Sequence, residues 1–166
     1  MELIAAIVLV AALAAIALPR FLDLREEARV TTLEGIAGSM RSTVLLVQSK
    51  ARVSGLQTSV SNPGGNTQSD YVIDTAFGSS EVDWANLCPE SRAELDDELT
   101  MLDFTTIRAG TGGLQTDFDN RYTRVGYDLP PGRCYVEYDS FGGSSGSRIG
   151  GESPCIITVV SDGCAN

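Results

Sequence analysis

The most constraining feature of the chain is an uninterrupted apolar run near its amino terminus. Residues Leu3 to Leu18 form sixteen consecutive apolar positions, LIAAIVLVAALAAIAL. As a helix this run extends about 24 Å, slightly less than the roughly 30 Å hydrocarbon core of a bilayer, and Met1, Phe21 and Leu22 lengthen it. A secretory signal fits poorly, because no basic segment precedes the run and no small-residue cleavage site follows it. The run therefore predicts a helix that needs lipid, or copies of itself, around it.

The apolar pattern continues past this run but becomes one-sided. Between residues 23 and 54 the apolar side chains recur at steps of three and four, which is the stripe of an amphipathic helix. The stripe consists of Leu33, Ile36, Ala37, Met40, Val44, Val47 and Ala51. Ser54-Gly55 is a suitable stop signal. We therefore expect one long helix over 1–54, in which 1–22 is a membrane or filament-core segment and 23–54 packs on a globular head.

Two residues interrupt the apolar character of the first half. Glu2 places a carboxylate at the end of a segment that otherwise suits hydrocarbon, where a charge at the bilayer centre costs roughly 2.5–3.5 kcal/mol. Glu2 either lies among lipid headgroups at a helix amino terminus or meets a cation from a neighbouring chain. Pro19 removes one helical hydrogen bond, so the helix is expected to kink or loosen between Ala15 and Pro19.

Composition argues against several classes of function. The chain contains no histidine, which removes His-dependent nucleophilic catalysis, His-ligated zinc and haem attachment. Its 12 basic and 22 acidic residues give a net charge of −10, which disfavours nucleic acid as a primary partner. Acidic clusters at 94–98 and 117–120 match no EF-hand loop and are interpreted as solvated faces. The sequence predicts no enzyme, no cofactor and no metal.

The remaining residues, 55–166, predict a small antiparallel β head. Within the segment 55–103, which connects helix and sheet, a short strand is expected at Tyr71–Ile73 and a short helix from Pro89 to Leu102. The sheet and a carboxy-terminal disulfide loop occupy 104–166, with a Gly/Ser-rich loop at 140–153. Strands are predicted at 104–108, 121–127, 133–138 and 155–160, with a turn at 128–132. The amphipathic part of the long helix is the natural cover for one face of this sheet, so the fold class is α+β.

Four cysteines indicate an oxidising compartment and two disulfide bonds. They are Cys88, Cys134, Cys155 and Cys164, and no two have the C-x-x-C spacing of a zinc ribbon or redox motif. From the residues alone, three connectivities remain open.

The first fifty residues resemble one known family. A glutamate in the first turn, a wholly aliphatic segment and the sequence LAAIALPRF at 13–21 resemble the amino terminus of a mature type IV pilin. The seventeen positions from Glu2 to Pro19 match the family's spacing. The sequence RFLDLREEARVTTLEGIAGSMRSTVLLVQSKA resembles pilins of the mannose-sensitive haemagglutinin type. Family members begin three residues before the position of Met1, and many carry glycine near Ala11.

The resemblance implies a fold, a disulfide pairing and a set of assembly residues. The fold would be the type IV pilin fold, a long helix on an antiparallel sheet with a stapled carboxy-terminal loop. The implied pairing is Cys134–Cys164 with Cys88–Cys155, and Cys88–Cys134 with Cys155–Cys164 is the alternative. Glu2 would meet the terminal ammonium of an adjacent subunit. The other assembly residues would be Leu3, Ile4, Ile7, Leu13, Ile16, Leu18, Pro19 and Phe21.

The resemblance also implies a series of processing and assembly steps. A prepilin peptidase would remove a leader, the new amino terminus would be methylated, and the subunit would wait as a single-pass protein among inner-membrane lipids. Assembly machinery would then add it to a homopolymeric extracellular pilus serving adhesion, motility or biofilm formation. A pseudopilin of a type II secretion or DNA-uptake machine is the first alternative. A membrane-tethered binding protein that never polymerises is the second.

Overall fold

The computed structural model describes residues 2–63, 69–94, 98–143 and 154–165, and the side chains of Glu2 and residues 16–23 lie outside the description. The predicted α+β class is confirmed. A single long helix, α1 (Glu2–Val53), precedes a two-stranded hairpin and a four-stranded antiparallel sheet. The hairpin comprises β1 (Val72–Thr75) and β2 (Gly78–Glu81). The sheet comprises β3 (Gln115–Phe118), β4 (Tyr122–Asp128), β5 (Cys134–Asp139) and β6 (Ile156–Val160), paired in chain order.

The helix α1 runs through Pro19 and ends where the sequence predicts. Its last turn is closed by the N–H of Leu56, which donates to the carbonyl of Ala51 at 3.0 Å. Gly55 lies between them with φ 88°, a left-handed conformation that glycine adopts without the steric cost of a Cβ. The length of the helix agrees with the expected fifty residues. The loosening expected before Pro19 stays a prediction.

The amphipathic stripe forms the core of the molecule. Every one of its predicted members is buried: Leu33, Ile36, Ala37, Met40, Val44, Val47 and Ala51. Its first part packs against the inward residues of β4 and β5, Val125, Val136 and Tyr138, together with the buried cysteines and Met101. Its last part, Val47 and Ala51, packs on Ile73, Val82 and Leu87 near the hairpin. One helix face therefore holds both the sheet and the hairpin.

Three of the four predicted sheet strands are present with small shifts at their ends. In β4 and β5 the pairs Thr123–Tyr138 and Val125–Val136 lie opposite each other and face α1. The register shifts after Gly126, where an added Cβ would lie 2.3 Å from the carbonyl oxygen of Cys134. Glycine at this position lets the two strands approach at the irregularity.

Two of the predicted elements are wrong. The segment Pro89–Leu102 is not helical in its described residues: Pro89 pairs with Val82, and Leu99 pairs with Ser80, as isolated β-bridges. Its backbone groups bond to other parts of the head, since the Glu90 N–H donates to the carbonyl of Glu81 and the Leu99 N–H donates to the carbonyl of Ser79. The apolar spacing of the segment reflects single buried positions such as Met101 and not a helix face.

The strand predicted at 104–108 is also absent. Thr105 instead closes a turn, with its N–H donating to the carbonyl of Leu102 at 2.9 Å. One edge strand of the sheet is β3, whose sequence QTDF lacks the apolar alternation that predicts a strand. Strand β2, with the sequence GSSE, escaped prediction for the same reason. Strand β1 begins one residue later and ends two residues later than the predicted Tyr71–Ile73.

Candidate assembly surface

The first half of α1 presents apolar side chains on every side of the helix. Residues 3–15 are all exposed, and the seven large side chains among them are between 60% and 75% exposed. These seven are Leu3, Ile4, Ile7, Val8, Leu9, Val10 and Leu13. A helical cylinder of this length has a surface of about 600 Å². Soluble monomers rarely expose more than a few hundred Å² of contiguous apolar surface, so this surface requires an apolar environment.

A shallow groove runs along one side of this exposed half. It is lined by Ala6, Ile7, Val10, Ala11 and Ala14. These five residues recur at steps of three and four, so they lie on one side of the helix, and three of them are alanines. Small residues of this kind allow a second helix to approach closely. The groove therefore offers a shape into which the side chains of another apolar helix can pack.

The structure places the predicted assembly residues in two groups. Leu3, Ile4, Ile7 and Leu13 lie on the exposed apolar surface. Glu2 is the first residue of α1, and Ile16, Leu18, Pro19 and Phe21 lie within the same helix. The side chains of this second group fall outside the described residues. The pairing of Glu2 with a neighbouring ammonium stays a prediction.

Both disulfide bonds lie within the head. Cys134 is bonded to Cys164 and Cys88 to Cys155, which is the pairing that the family resemblance implies. The Cys134–Cys164 bond connects the start of β5 to the carboxy-terminal turn. The Cys88–Cys155 bond connects the long segment before the sheet to the residue preceding β6. The two bonds thus fix both ends of the segment that contains the Gly/Ser-rich loop.

Two polar residues of α1 hold these disulfide regions, and the sequence analysis did not identify them. The Arg29 Nη1 donates to the carbonyl of Cys164 at 2.7 Å, and its guanidinium lies 5.2 Å from the centre of the Tyr127 ring. The Gln48 amide donates to the carbonyl of Asn86 at 3.0 Å and to the sulfur of Cys155 at 3.4 Å. Gln48 directly follows Val47 of the stripe. This position beside the stripe was the one feature of the sequence that could have indicated a polar side chain at the edge of the core.

The acidic cluster near residue 119 is organised around an arginine. Arg124 lies 3.3 Å from Asp117, 3.4 Å from Asp119 and 2.8 Å from Glu137. Burial raises the pKa of Asp119, but hydrogen bonds from the Tyr122 and Arg121 N–H groups and the charge of Arg124 outweigh it and lower that pKa below 3.8. This arrangement is an ion-pair network on the outer face of the sheet.

Among the described residues, no three His, Cys, Asp or Glu side chains are grouped so as to hold a metal ion. Asp96 and Asp97 of the other acidic cluster lie outside the description, as do residues 144–153 of the loop. The loop's described start is fixed by Arg121, which forms a two-point ion pair with Asp139 and also donates to the carbonyl of Gly143.

A second set of carboxyl groups lies inside the head, close to Tyr138. The Tyr138 hydroxyl donates to the carbonyl of Pro89 at 2.6 Å, and the side chain is completely buried. Burial raises the pKa of Tyr138 well above 10.0, and the charges of Glu90 and Asp83 raise it further. Tyr138 is therefore held protonated across the ordinary pH range.

Within the parts of the chain that the structure describes, no helix has an apolar stretch long enough to cross a membrane. Comparisons with protein-family models, with curated proteins and with solved structures find no match to this chain.

Proposed function

We propose that this chain is a structural subunit that polymerises, through the first half of α1, into a filament of the type IV pilus class. The observation that carries the proposal is the contrast between the two halves of one helix. Residues 33–51 bury a single stripe against the head, whereas residues 3–15 are apolar and exposed on all sides. A helix of this design serves a role outside its own subunit.

Burial of the exposed half among copies of the chain would supply a large driving force in water. At about 25 cal/mol per Å², covering about 600 Å² of apolar surface corresponds to about 15 kcal/mol per subunit before the cost of ordering. Inside a membrane this term is small, so helix packing along the alanine-lined groove would guide association there. Repetition of one head-to-tail contact gives an open helical polymer.

The head supports an external location for such a filament. Its two disulfide bonds are typical of proteins that fold in an oxidising compartment. The charge of −11 carried by residues 54–166 would make the outside of the filament acidic, since these residues contain six arginines and seventeen acids. A long helix, an antiparallel sheet and a stapled carboxy-terminal loop are also the layout of a pilin. Adhesion, motility and biofilm formation are the functions proposed for the polymer.

The proposal is tested with one substitution at two places on α1. Val10 lines the groove and is 66% exposed, whereas Val53 ends the helix beside the head and is 85% exposed. We expect Val10→Lys to abolish fibres in sheared cell-surface material, because it puts a charge into the apolar contact. Val53→Lys should leave fibre yield unchanged. Electron microscopy counts the fibres, and mass spectrometry of the amino-terminal peptide identifies their subunit.

Two results would contradict the proposal. One is a normal fibre yield from Val10→Lys. The other is a wild-type chain that remains a solitary species in detergent and in cells and is never found in fibres. The variant Glu2→Ala separates the pairing hypothesis from polymerisation itself: it should stop assembly while membrane insertion continues.

A further inference from the structure

A polar cleft opens between α1 and the sheet, at the end of the head that is nearest to the apolar half of the helix. Its volume is about 300 Å³. Arg25 and Arg29 line one wall, Gly112 and Gly113 line another, and Tyr127 of β4 contributes its ring. Because Arg25 and Arg29 are four residues apart, they lie on the same face of the helix. Two positive charges thus meet at one cavity of a chain whose net charge is −10.

The guanidinium of Arg29 is held in place by the fold. Its Nη1 donates to the carbonyl of Cys164, which is fixed in turn by the disulfide bond to Cys134. Its plane lies over the Tyr127 ring at 5.2 Å, a cation–π contact. The charge of Arg29 is therefore positioned at the cleft wall at little further cost in side-chain entropy.

Arg25 adds a second guanidinium to the cleft. It is exposed, and none of the ion pairs in the described part of the chain involves it. Gly112 and Gly113 lie in a short 3-10 turn, Thr111–Gly113, with φ angles of 63° and 84°, and an added Cβ at either position would meet open space. The cleft therefore presents guanidinium donors with open space beside them.

We propose that this cleft binds an oxyanion of the phosphate class. Arginine forks match the geometry of phosphate oxygens and bond to them in pairs. A phosphate has enough acceptor oxygens to engage both guanidiniums. A single carboxylate from another copy would satisfy fewer of these donors.

Inorganic phosphate and the phosphodiester of a lipid headgroup share this chemistry. Arg25 is seven residues beyond Leu18, so it lies about 10 Å further along the helix axis than the end of the apolar run. This is the level of the headgroups if the apolar run occupies a bilayer. The lipid source rests on the proposed function, because it requires the first half of α1 to reside in a membrane; the inorganic source does not.

The first arm of the test measures inorganic phosphate. The full-length chain in nonionic detergent is titrated with phosphate by calorimetry at low ionic strength. We expect saturable binding, weakened about tenfold or more in Arg25→Gln, which removes one charge-assisted fork. Arg41→Gln is the matched control, since Arg41 is an exposed arginine of α1 away from the cleft, and it should bind as wild type does. Arg29 is not substituted, because its loss also releases the Cys164 carbonyl.

The second arm replaces phosphate with detergent micelles containing phosphatidylglycerol or phosphatidylcholine. Arg25-dependent binding of inorganic phosphate, of phosphatidylglycerol or of both supports the proposal and identifies the source. Absence of Arg25-dependent binding in both arms overturns it. Loss of fibres in Arg25→Gln without any phosphate binding also overturns it and assigns the cleft to a carboxylate of a second copy. Single chains in detergent suffice for binding, so a failure here is distinct from a failure to polymerise.

Discussion

The two halves of α1 should respond in opposite ways to the same truncation. Leu33 is completely buried in the main core, whereas Leu13 is 69% exposed on the apolar half. Both are leucines within one helix, so Leu33→Ala and Leu13→Ala remove identical atoms from two environments. The comparison separates what α1 does for its own head from what it does for other copies.

The expected magnitudes follow from burial. At Leu33 the loss of transfer free energy and the cavity left beneath β4 and β5 should lower the free energy of unfolding by about 2–5 kcal/mol. At Leu13 less than a third of the side chain is covered, and alanine is as good a helix former as leucine or better. Leu13→Ala should therefore change the stability of the head by about 0.5 kcal/mol or less.

The assay uses urea unfolding of the full-length chain in nonionic detergent. Trp84 is the single tryptophan, and its burial in the head makes its fluorescence a reporter of head unfolding. Fibre yield from sheared cells is measured in parallel. We expect Leu33→Ala to shift the urea midpoint, and Leu13→Ala to reduce fibre yield with an unchanged midpoint.

One result would refute this reasoning directly. If Leu13→Ala lowered the urea midpoint as much as Leu33→Ala, the first half of α1 would be part of the head's own core. A normal fibre yield with Leu13→Ala would show that this side chain contributes nothing to polymer contacts.

Three further predictions concern the head. The pKa of Tyr138 is raised in the folded state, so its stabilising effect is complete below pH 10 and is lost above it, at up to about 1.4 kcal/mol per pH unit. Between pH 7 and 11, the urea midpoint of Tyr138→Phe should therefore fall less steeply than that of the wild-type chain. The pKa of Asp119 is lowered in the folded state, so its stabilising effect is present above about pH 4 and is lost as the pH falls further. The difference in free energy of unfolding between the wild-type chain and Asp119→Asn, measured by urea unfolding, should therefore disappear in acid. Replacing Cys88 and Cys155 together by serine releases a constraint over 67 residues and should cost about 4 kcal/mol in urea unfolding, more than the equivalent change at Cys134 and Cys164, whose separation is 30.

The ion-pair network around Arg124 also bears on how the negative charge of the head is interpreted. Asp117 and Asp119 lie beside Arg124 on the sheet face. Added salt weakens these ion pairs, and it should have little effect on the free energy of unfolding. Acidity of the head is therefore a property of the surface as a whole. It bears on solubility and on contacts between filaments, and not on a defined cation site in the described residues.

Local periodicity was sufficient for much of the fold. The steps of three and four between Leu33 and Ala51 predicted the buried helix face in full, because a helix repeats its orientation within a single turn. Strands β4, β5 and β6 were predicted because their residues combine high β propensity with turn signals at each end. Cysteine content predicted two disulfide bonds, while their pairing came only from the family resemblance.

The sequence by itself determined a long helix with two unlike halves, a stop at Gly55 and a disulfide-bonded β head, since each is encoded by neighbouring residues. Only the tertiary structure decided that Pro89 and Leu99 form isolated β-bridges, that the polar strands β2 and β3 complete the sheets, and that Arg29 reaches the Cys164 carbonyl. Arg29 and Cys164 are 135 residues apart, and strands β2 and β3 are held by ladder hydrogen bonds to neighbouring strands. Such bonds override local propensity. The cleft at Arg25 exists for the same reason, because its walls come from segments that only folding brings together.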